Sequence, residues 1–214
     1  ADQIETGIAG AADTFTFTSS GQGNSDVLDG GAGSDTFPLS SGSHVFSSDS
    51  NFSNIETVLA NASGSSVNLS AQTEGFTITG GAGVDTITGA AGANVITGDA
   101  GNDIITGGAS ADIITGGAGD DQLTGGGGVD TFKIDAGSDT ITDLSAADIM
   151  VISSGATANA TISANYTAAG TTTNAGTANL TLGTGGLSVD MSLAGGSAGF
   201  NLIGSSGTDT ITAT

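Results

Sequence analysis

The chain has 214 residues, of which 38 are glycine, one is proline and none is cysteine. Asp and Glu number 22 against a single cation, Lys133, so the net charge of −21 excludes a nucleic-acid partner, whose phosphates nothing could neutralise. No apolar run reaches the ~20 residues of a membrane-spanning helix, so no membrane insertion is expected. Without cysteine there is no disulfide framework, and bound metal is the expected alternative for stabilising the fold.

The N-terminal stretch 1–40 contains two nonapeptide blocks, GQGNSDVLD from Gly21 and GGAGSDTFP from Gly30. Their aspartates, Asp26 and Asp35, lack acidic partners two blocks further along the chain, so we expect only poor metal sites there. A Ser-rich stretch follows at 41–61 and predicts a connector. The only histidine, His44, lies in this stretch and is expected to be a solvated loop residue.

Seven consecutive nonapeptide blocks fill the range 80–142 without insertion or deletion, and the first reads GGAGVDTIT. Its glycines accept positive φ and let carbonyl groups crowd one point, which indicates a turn. The last three positions predict a very short strand with an inward apolar residue, and such strands are stable only when many coils stack. That apolar residue, at position eight, is Ile87, Ile96, Ile105, Ile114, Leu123, Phe132 or Ile141. The same phase reaches back to Leu69, which predicts metal-free coils upstream.

The range 143–185 is rich in Thr, Ala and Asn and alternates partly between polar and apolar, which predicts β-strands in a second connector. One further block, GSSGTDTIT, follows from Gly204. Its Asp209 also lacks an acidic partner two blocks away, so a poor metal site is expected there as well.

These blocks resemble the RTX (hemolysin-type) calcium-binding nonapeptide repeat, G-G-x-G-x-D-x-U-x, in which U is large and apolar. The resemblance implies an all-β fold, a right-handed parallel β-roll (a solenoid) with two nonapeptides in each 18-residue coil and with β-rich connectors. The predicted division is the end of a first roll at 1–40, a Ser-rich connector at 41–61, a central calcium-binding roll at 62–142, a Thr/Ala/Asn-rich β connector at 143–185 and the start of a further roll at 186–214.

By the same resemblance, each Ca²⁺ lies between turns two blocks apart and is shared by their position-six side chains. On one side these are Asp85, Asp103, Asp121 and Asp139, and on the other Asn94, Asp112 and Asp130. Carbonyl oxygens complete the sites, and the implied ones belong to Gly81, Gly83, Gly98, Ala100, Gly101, Gly116, Ala118, Gly117, Gly119, Gly107, Ala109, Gly108, Gly125 and Gly127. Two carboxylates and four carbonyls give about six oxygen ligands, which suits Ca²⁺ better than Mg²⁺.

About five calcium sites are expected in the central roll on this ligand scheme. The site of Asn94 is expected to be weaker, because its oxygen is neutral. Ser110 replaces a glycine, and Ile134 opens the last block, which is expected to close the roll.

Three features that could suggest catalysis have simpler explanations. The range 195–199 (GGSAG) matches the G-x-S-x-G nucleophile elbow, but that elbow needs a strand-to-helix turn and a histidine partner. Paired aspartates could indicate a glycosidase, yet metal binding explains their spacing better. Lys133 occupies a variable strand position, where a solvated side chain is expected. We therefore expect no enzyme activity.

The resemblance leaves three functions open. The first is a calcium-binding structural protein of the bacterial cell surface, of S-layer or filament type, in which Ca²⁺ drives folding, rigidity and assembly. The second is an RTX module of a secreted enzyme or toxin that aids calcium-triggered folding after type I secretion. The third is a segment of an adhesin that binds carbohydrate or ice. Further copies, neighbouring rolls and cell-surface polysaccharide are the expected partners, and the expected location is extracellular.

Overall fold

The computed structural model of the chain describes residues 4–6, 14, 27–48, 52–60, 63–145 and 147–212. Within these ranges the secondary structure is entirely β, so no helix there is long and apolar enough to cross a membrane. All strand pairs are parallel, and the strands form two nine-stranded and two three-stranded sheets. The all-β, right-handed parallel β-roll predicted from the sequence is thereby confirmed.

The chain alternates between the two long sheets, and each circuit makes one coil. Sheet I contains β3 (Thr36–Pro38), β6 (Thr57–Leu59), β8 (Thr77–Ala82), β10 (Val95–Ala100), β12 (Ile113–Ala118), β14 (Thr131–Ile134), β16 (Ile149–Ile152), β19 (Thr173–Asn174) and β22 (Gly195–Gly196). Sheet II contains β4 (Gly42–Val45), β7 (Ser65–Asn68), β9 (Thr86–Thr88), β11 (Ile104–Gly108), β13 (Gln122–Gly126), β15 (Ser138–Ile141), β17 (Thr157–Ile162), β20 (Thr177–Leu182) and β23 (Phe200–Ile203).

Two short sheets add to the sides of this solenoid. One contains β1 (Ile4–Thr6), β2 (Val27–Asp29) and β5 (Phe52–Ser53), and the other contains β18 (Tyr166–Thr167), β21 (Ser188–Asp190) and β24 (Thr210–Thr212). Their strands are also parallel, so they follow the same stacking direction as the long sheets.

The register of the central coils follows the sequence repeat. Ile96 in sheet I pairs with Ile78 and Ile114, which lie two blocks before and two blocks after it. In sheet II, Ile105 pairs in the same way with Ile87 and Leu123. Each nonapeptide block therefore supplies one strand and one turn, and two blocks close one coil.

Position eight of the blocks forms the apolar interior between the two sheets. Ile114, for example, is completely buried and lies between Ile96 and Phe132 in its sheet. Burial of one such side chain stabilises a fold by about 1.5–3 kcal/mol. A ladder of these residues therefore provides the main apolar stabilisation of the roll.

The segments predicted as connectors are themselves built of coils. Strands of both long sheets lie within 41–61 and 143–185, so the two sheets run without a break from β3 to β23. The coils there are longer than two nonapeptides, as the pairing of Thr36 with Thr57 shows. A coil needs an inward apolar residue and a paired backbone, and a longer turn satisfies both conditions without the nonapeptide pattern.

Two residues expected elsewhere lie inside the roll. His44 is 4% exposed on β4, where it pairs with Val67 and donates its Nε2 hydrogen to the Ser40 carbonyl at 2.8 Å. The prediction of a solvated histidine is wrong, because strand alternation turns this side chain inward. Ile134, expected to close the roll, is fully buried and pairs with Ile152 of the next coil.

Aromatic packing holds the coils that precede the seven consecutive blocks at 80–142. Phe52 lies at the centre of this cluster, with ring centroids 4.4 Å from Phe46, 5.5 Å from Phe37 and 5.6 Å from Phe76. Such ring pairs add about 0.5–1.5 kcal/mol each beyond their burial. The early coils therefore have a source of stability other than metal.

Candidate metal centres

The position-six side chains form two buried rows, one along each edge of the central roll. The row beside sheet II contains Asp85, Asp103, Asp121 and Asp139, and the row beside sheet I contains Asn94, Asp112, Asp130 and Asp148. All eight side chains are at most 2% exposed. The turns thus place a line of acidic groups where charged side chains are normally absent.

Each carboxylate in a row contacts the preceding coil through one oxygen. Oδ1 of Asp103 accepts the backbone N–H of Asp85 at 2.8 Å, and Oδ1 of Asp121 accepts that of Asp103 at 2.8 Å. Asp139 repeats the contact with the N–H of Asp121 at 3.0 Å. These bonds satisfy buried donors and confirm that aspartates two blocks apart are neighbours along the roll.

The second oxygen of most row aspartates has no hydrogen-bond partner although it is buried. This holds for Oδ2 of Asp85, Asp103, Asp112, Asp121 and Asp139. A buried, unpartnered carboxylate oxygen is costly, since it has lost its water without gaining a donor. A cation beside each of these oxygens would remove that cost. The only Lys or Arg of the chain, Lys133, is exposed on a strand and is not a partner of these oxygens.

Glycines at position one bring a carbonyl oxygen of the next coil near the unpartnered oxygens of Asp85, Asp103 and Asp112. A Cβ built on Gly80 would lie 2.6 Å from the carbonyl oxygen of Gly98 and 2.8 Å from Oδ2 of Asp85. A Cβ on Gly98 would likewise meet Gly116 O and Asp103 Oδ2. Two oxygens that converge in this way repel each other unless a cation lies between them, and oxygen-only surroundings are those that Ca²⁺ prefers.

A comparison with protein-family models agrees with this geometry. The RTX calcium-binding nonapeptide repeat (4 copies) matches residues 20–37, 79–112, 97–132 and 106–141. The chain carries RTX calcium-binding nonapeptide repeats. No curated protein and no solved structure matches the chain. Its RTX roll is therefore a structural calcium-binding module, and the rows of aspartates lie in its turns.

Backbone carbonyls must supply part of any calcium site in the RTX roll. Among the described residues, no group of three or more His, Cys, Asp or Glu side chains converges on one point. The turns provide such carbonyls because Gly117 and Gly119 adopt φ values of +107° and +141°, which side chains other than glycine rarely allow. The carbonyl ligands implied by the resemblance all belong to these turns, and their coordination stays a prediction.

Some of those carbonyls already accept a hydrogen bond between coils. The oxygen of Ala100 accepts the N–H of Gly83 at 2.6 Å, and that of Ala118 accepts the N–H of Gly101 at 2.9 Å. A carbonyl has two lone pairs, so one such bond leaves room for a second contact.

The side-chain amide of Asn94 directs its nitrogen towards a carbonyl of its own turn and towards the carboxylate of Asp112. Its Nδ2 lies 2.7 Å from Gly92 O and 2.9 Å from Asp112 Oδ1. An amide nitrogen donates hydrogen bonds and has no lone pair for a cation. In this orientation the side chain is a hydrogen-bond donor in the row, and its role as a calcium ligand stays a prediction.

Asp148 is a row member that the sequence reasoning missed. Its Oδ1 accepts the N–H of Asp130 at 2.9 Å, as in the other coils, while its Oδ2 accepts the N–H of Ser145 at 2.8 Å. The signal was present, since Asp148 follows Asp130 by the length of two blocks, but the block around it has lost its glycines. Loss of the turn glycines concealed a coil whose backbone still pairs.

The isolated blocks make different contacts from the central ones, and their poor metal binding stays a prediction. The N–H of Asp35 donates to Oε2 of Glu56 at 2.7 Å, so a glutamate from the next coil takes the stacking position. Oδ2 of Asp209 accepts the N–H of Ser205 at 2.8 Å and thereby holds its own turn. Asp26 lies outside the described residues.

Burial raises the pKa values of the row aspartates. Loss of solvent, reinforced by neighbouring carboxylates and opposed by the N–H bonds, raises the pKa of Asp139 to about 7 and those of Asp103 and Asp130 to about 6. Burial also raises the pKa values of Asp85, Asp112 and Asp121. Burial therefore makes ionisation of the metal-free rows less favourable than in solvent, and a cation would favour it.

Proposed function

We propose that this chain is a calcium-binding structural segment of a bacterial cell-surface protein, of S-layer or filament type, in which Ca²⁺ drives folding, rigidity and assembly. One observation carries the proposal: buried carboxylate oxygens without hydrogen-bond partners recur from coil to coil, and those of Asp85, Asp103 and Asp112 lie near a glycine carbonyl of the next coil. Ions between successive coils link each coil to the next, and this linkage stiffens the whole roll.

Four neighbouring pairs in the rows are the best calcium positions, because the first member of each has an unpartnered Oδ2: Asp85 with Asp103, Asp103 with Asp121, Asp121 with Asp139, and Asp112 with Asp130. Extracellular calcium modules bind with dissociation constants of ~10⁻⁴–10⁻³ M. At ten times that constant one ion stabilises the folded state by about 1.4 kcal/mol. Several ions together then contribute an amount comparable with the ~5–15 kcal/mol stability of a whole domain.

A structural role is favoured over an enzymatic one by how the solenoid uses the chain. The long sheets run from β3 to β23, and within the described ranges no helix follows Ser197 of the GGSAG motif. Ser197 is exposed, whereas the only histidine, His44, is buried on another coil. The elbow therefore lacks both of the features that a serine nucleophile needs.

Self-association through calcium follows from the charge of the chain. A net charge of −21 with one cation makes two copies repel each other, and each bound Ca²⁺ removes two charges from that repulsion. Millimolar calcium is found outside cells, and RTX repeats are typical of secreted proteins, so an extracellular location agrees with the chemistry. Other copies, neighbouring rolls and cell-surface polysaccharide are the proposed partners.

Circular dichroism and electron microscopy with millimolar CaCl₂, with MgCl₂ and with chelator test this function. We expect strand signal and ordered assemblies in calcium only. Identical spectra in calcium and chelator would contradict the calcium-driven folding. Calcium-dependent folding that leaves the chain monomeric at all concentrations would contradict the assembly role and favour a folding module of a secreted enzyme.

A further inference from the structure

Asn94 stands at the one position of the two rows where an amide replaces a carboxylate. Its side chain is 1% exposed, and its Nδ2 lies within hydrogen-bond distance of four oxygens. The distances are 2.7 Å to Gly92 O, 2.9 Å to Asp112 Oδ1, 3.1 Å to Ala90 O and 3.3 Å to Gly107 O. The amide group thus lies at the centre of an all-oxygen cage.

The composition of this cage is informative. It consists of two carbonyls of the residue's own turn, the first carbonyl of the turn in the next coil, and the carboxylate of that coil. At Asp103 the equivalent carbonyl of the next coil, that of Gly116, also lies near the unpartnered Oδ2, since both oxygens would meet a Cβ built on Gly98. At Asn94, however, the space is filled by a donor that carries partial positive charge.

We infer that the side-chain amide of Asn94 takes the place of a calcium ion between the turns at 89–94 and 107–112, so that this position binds no metal. The inference rests on the proposed calcium-binding function, since it decides which positions of the rows take the ion. The coil is held on this edge by covalently attached donors, whereas its neighbours in the row depend on calcium.

The amide cannot rotate to admit an ion, because both of its ends are engaged. Oδ1 of Asn94 accepts the N–H of Phe76 at 3.1 Å and that of Ala90 at 3.4 Å. A flip would turn the oxygen towards Asp112 Oδ1, its present partner at 2.9 Å, and would place an NH₂ group against two N–H donors. Both neighbouring coils thus hold the amide in this orientation. These hydrogen bonds, here called the Asn94 staple, link the two turns with or without calcium.

The variant Asn94→Asp tests the inference, and Asn102→Asp is its control. Asn102 is exposed, and its Oδ1 accepts the N–H of Asp120 at 3.1 Å, a role that aspartate keeps. Bound calcium per folded chain is measured by equilibrium dialysis. We expect one more ion in Asn94→Asp than in the wild type, and no additional ion in Asn102→Asp.

A second measurement removes calcium from the comparison. In chelator the urea midpoint of Asn94→Asp falls below those of the wild type and of Asn102→Asp, because aspartate cannot donate to Ala90, Gly92 or Gly107. In the wild type, the side-chain NH₂ protons of Asn94 exchange slowly with solvent both in calcium and in chelator, as followed by NMR.

Three results would overturn the inference: calcium numbers for Asn94→Asp and the wild type that are equal and not zero, rapid exchange of the Asn94 NH₂ protons in chelator, or their displacement when calcium is added. If Asn94→Asp does not fold, the exchange experiment on the wild type decides the matter alone. If neither protein binds calcium at all, the proposed function fails, and slow NH₂ exchange in chelator still supports the staple.

Discussion

Asp121→Asn is the substitution that most directly tests the rows of aspartates. Asp121 is 2% exposed, accepts the N–H of Asp103 through Oδ1 at 2.8 Å, and donates its own N–H to Asp139 Oδ1 at 3.0 Å. Its Oδ2 is unpartnered. Asparagine keeps the Oδ1 acceptor and the backbone donor, so the ladder of hydrogen bonds remains. The variant loses only the charge and gains an NH₂ group where the unpartnered oxygen was.

The sign of the effect depends on calcium. Asp121 adjoins two proposed sites, and at ten times the dissociation constant each contributes about 1.4 kcal/mol, so their loss lowers the free energy of unfolding by about 3 kcal/mol. In chelator the same substitution removes a buried, unpartnered charge and supplies a donor, as at Asn94. We therefore expect Asp121→Asn to be no less stable than the wild type in chelator, and less stable in calcium.

Urea unfolding at a series of calcium concentrations, followed by circular dichroism, measures both effects. Asp120→Asn is the matched control, because Asp120 is exposed next to Asp121 and its Oδ1 accepts the N–H of Ser138 at 2.9 Å, a contact that asparagine keeps. The control should lose at most a few tenths of a kcal/mol in calcium, as surface substitutions do. An equal loss of stability for Asp121→Asn in calcium and in chelator would refute the reasoning.

Three further predictions follow from the core, the turns and the raised pKa values. Ile114→Ala should lower the free energy of unfolding by about 2–5 kcal/mol in calcium, since a fully buried side chain leaves a cavity; a loss below about 1 kcal/mol by urea unfolding would contradict the apolar ladder. Gly98→Ala should reduce the bound calcium measured by dialysis, because its Cβ meets the Asp103 carboxylate, whereas Gly170→Ala, with nothing within 4 Å, should bind as the wild type does. In chelator, the free energy of unfolding should rise as the pH falls from 8 to 5. The pKa of Asp139 in the folded state, about 7, exceeds its ordinary value of 3.8, so protonation favours the folded state. This contribution to stability is full below pH 3.8 and is lost as the pH rises through about 7. Thermal unfolding monitored across this range checks the direction, and a metal-free chain that is most stable at pH 8 would contradict it.

Much of the calcium-binding part follows from local sequence chemistry. Position eight, as at Ile105, is apolar because a short strand turns one side chain inward, and the glycines before it permit positive φ. Asp85 and Asp103 lie on the same edge because two blocks complete one coil. The turn and the inward strand residue depend on a single block, so a repeated pattern of nine predicts them, whereas the two-block coil was implied by the resemblance to RTX repeats.

The limits of prediction appear where the pattern fades. The range 143–185 lacks the glycine turns, yet its strands continue both long sheets, and Asp148 stacks on Asp130 as the earlier aspartates do. Backbone pairing with an existing coil supplies the template that the local sequence does not encode. The sequence predicts a connector there because the local pattern of residues contains no information about the strand of the preceding coil with which this segment pairs.

The sequence alone determined the short inward-facing strands and the glycine turns through the spacing of nine, and its resemblance to RTX repeats implied the two-block central coil and the acidic rows. Only the tertiary structure decided that His44 is buried, that the solenoid continues through both predicted connectors, and that Asn94 offers its nitrogen to the turn. These outcomes depend on groups contributed by neighbouring coils. The Gly107 carbonyl that faces Asn94, for example, becomes its neighbour only after the chain has completed another circuit.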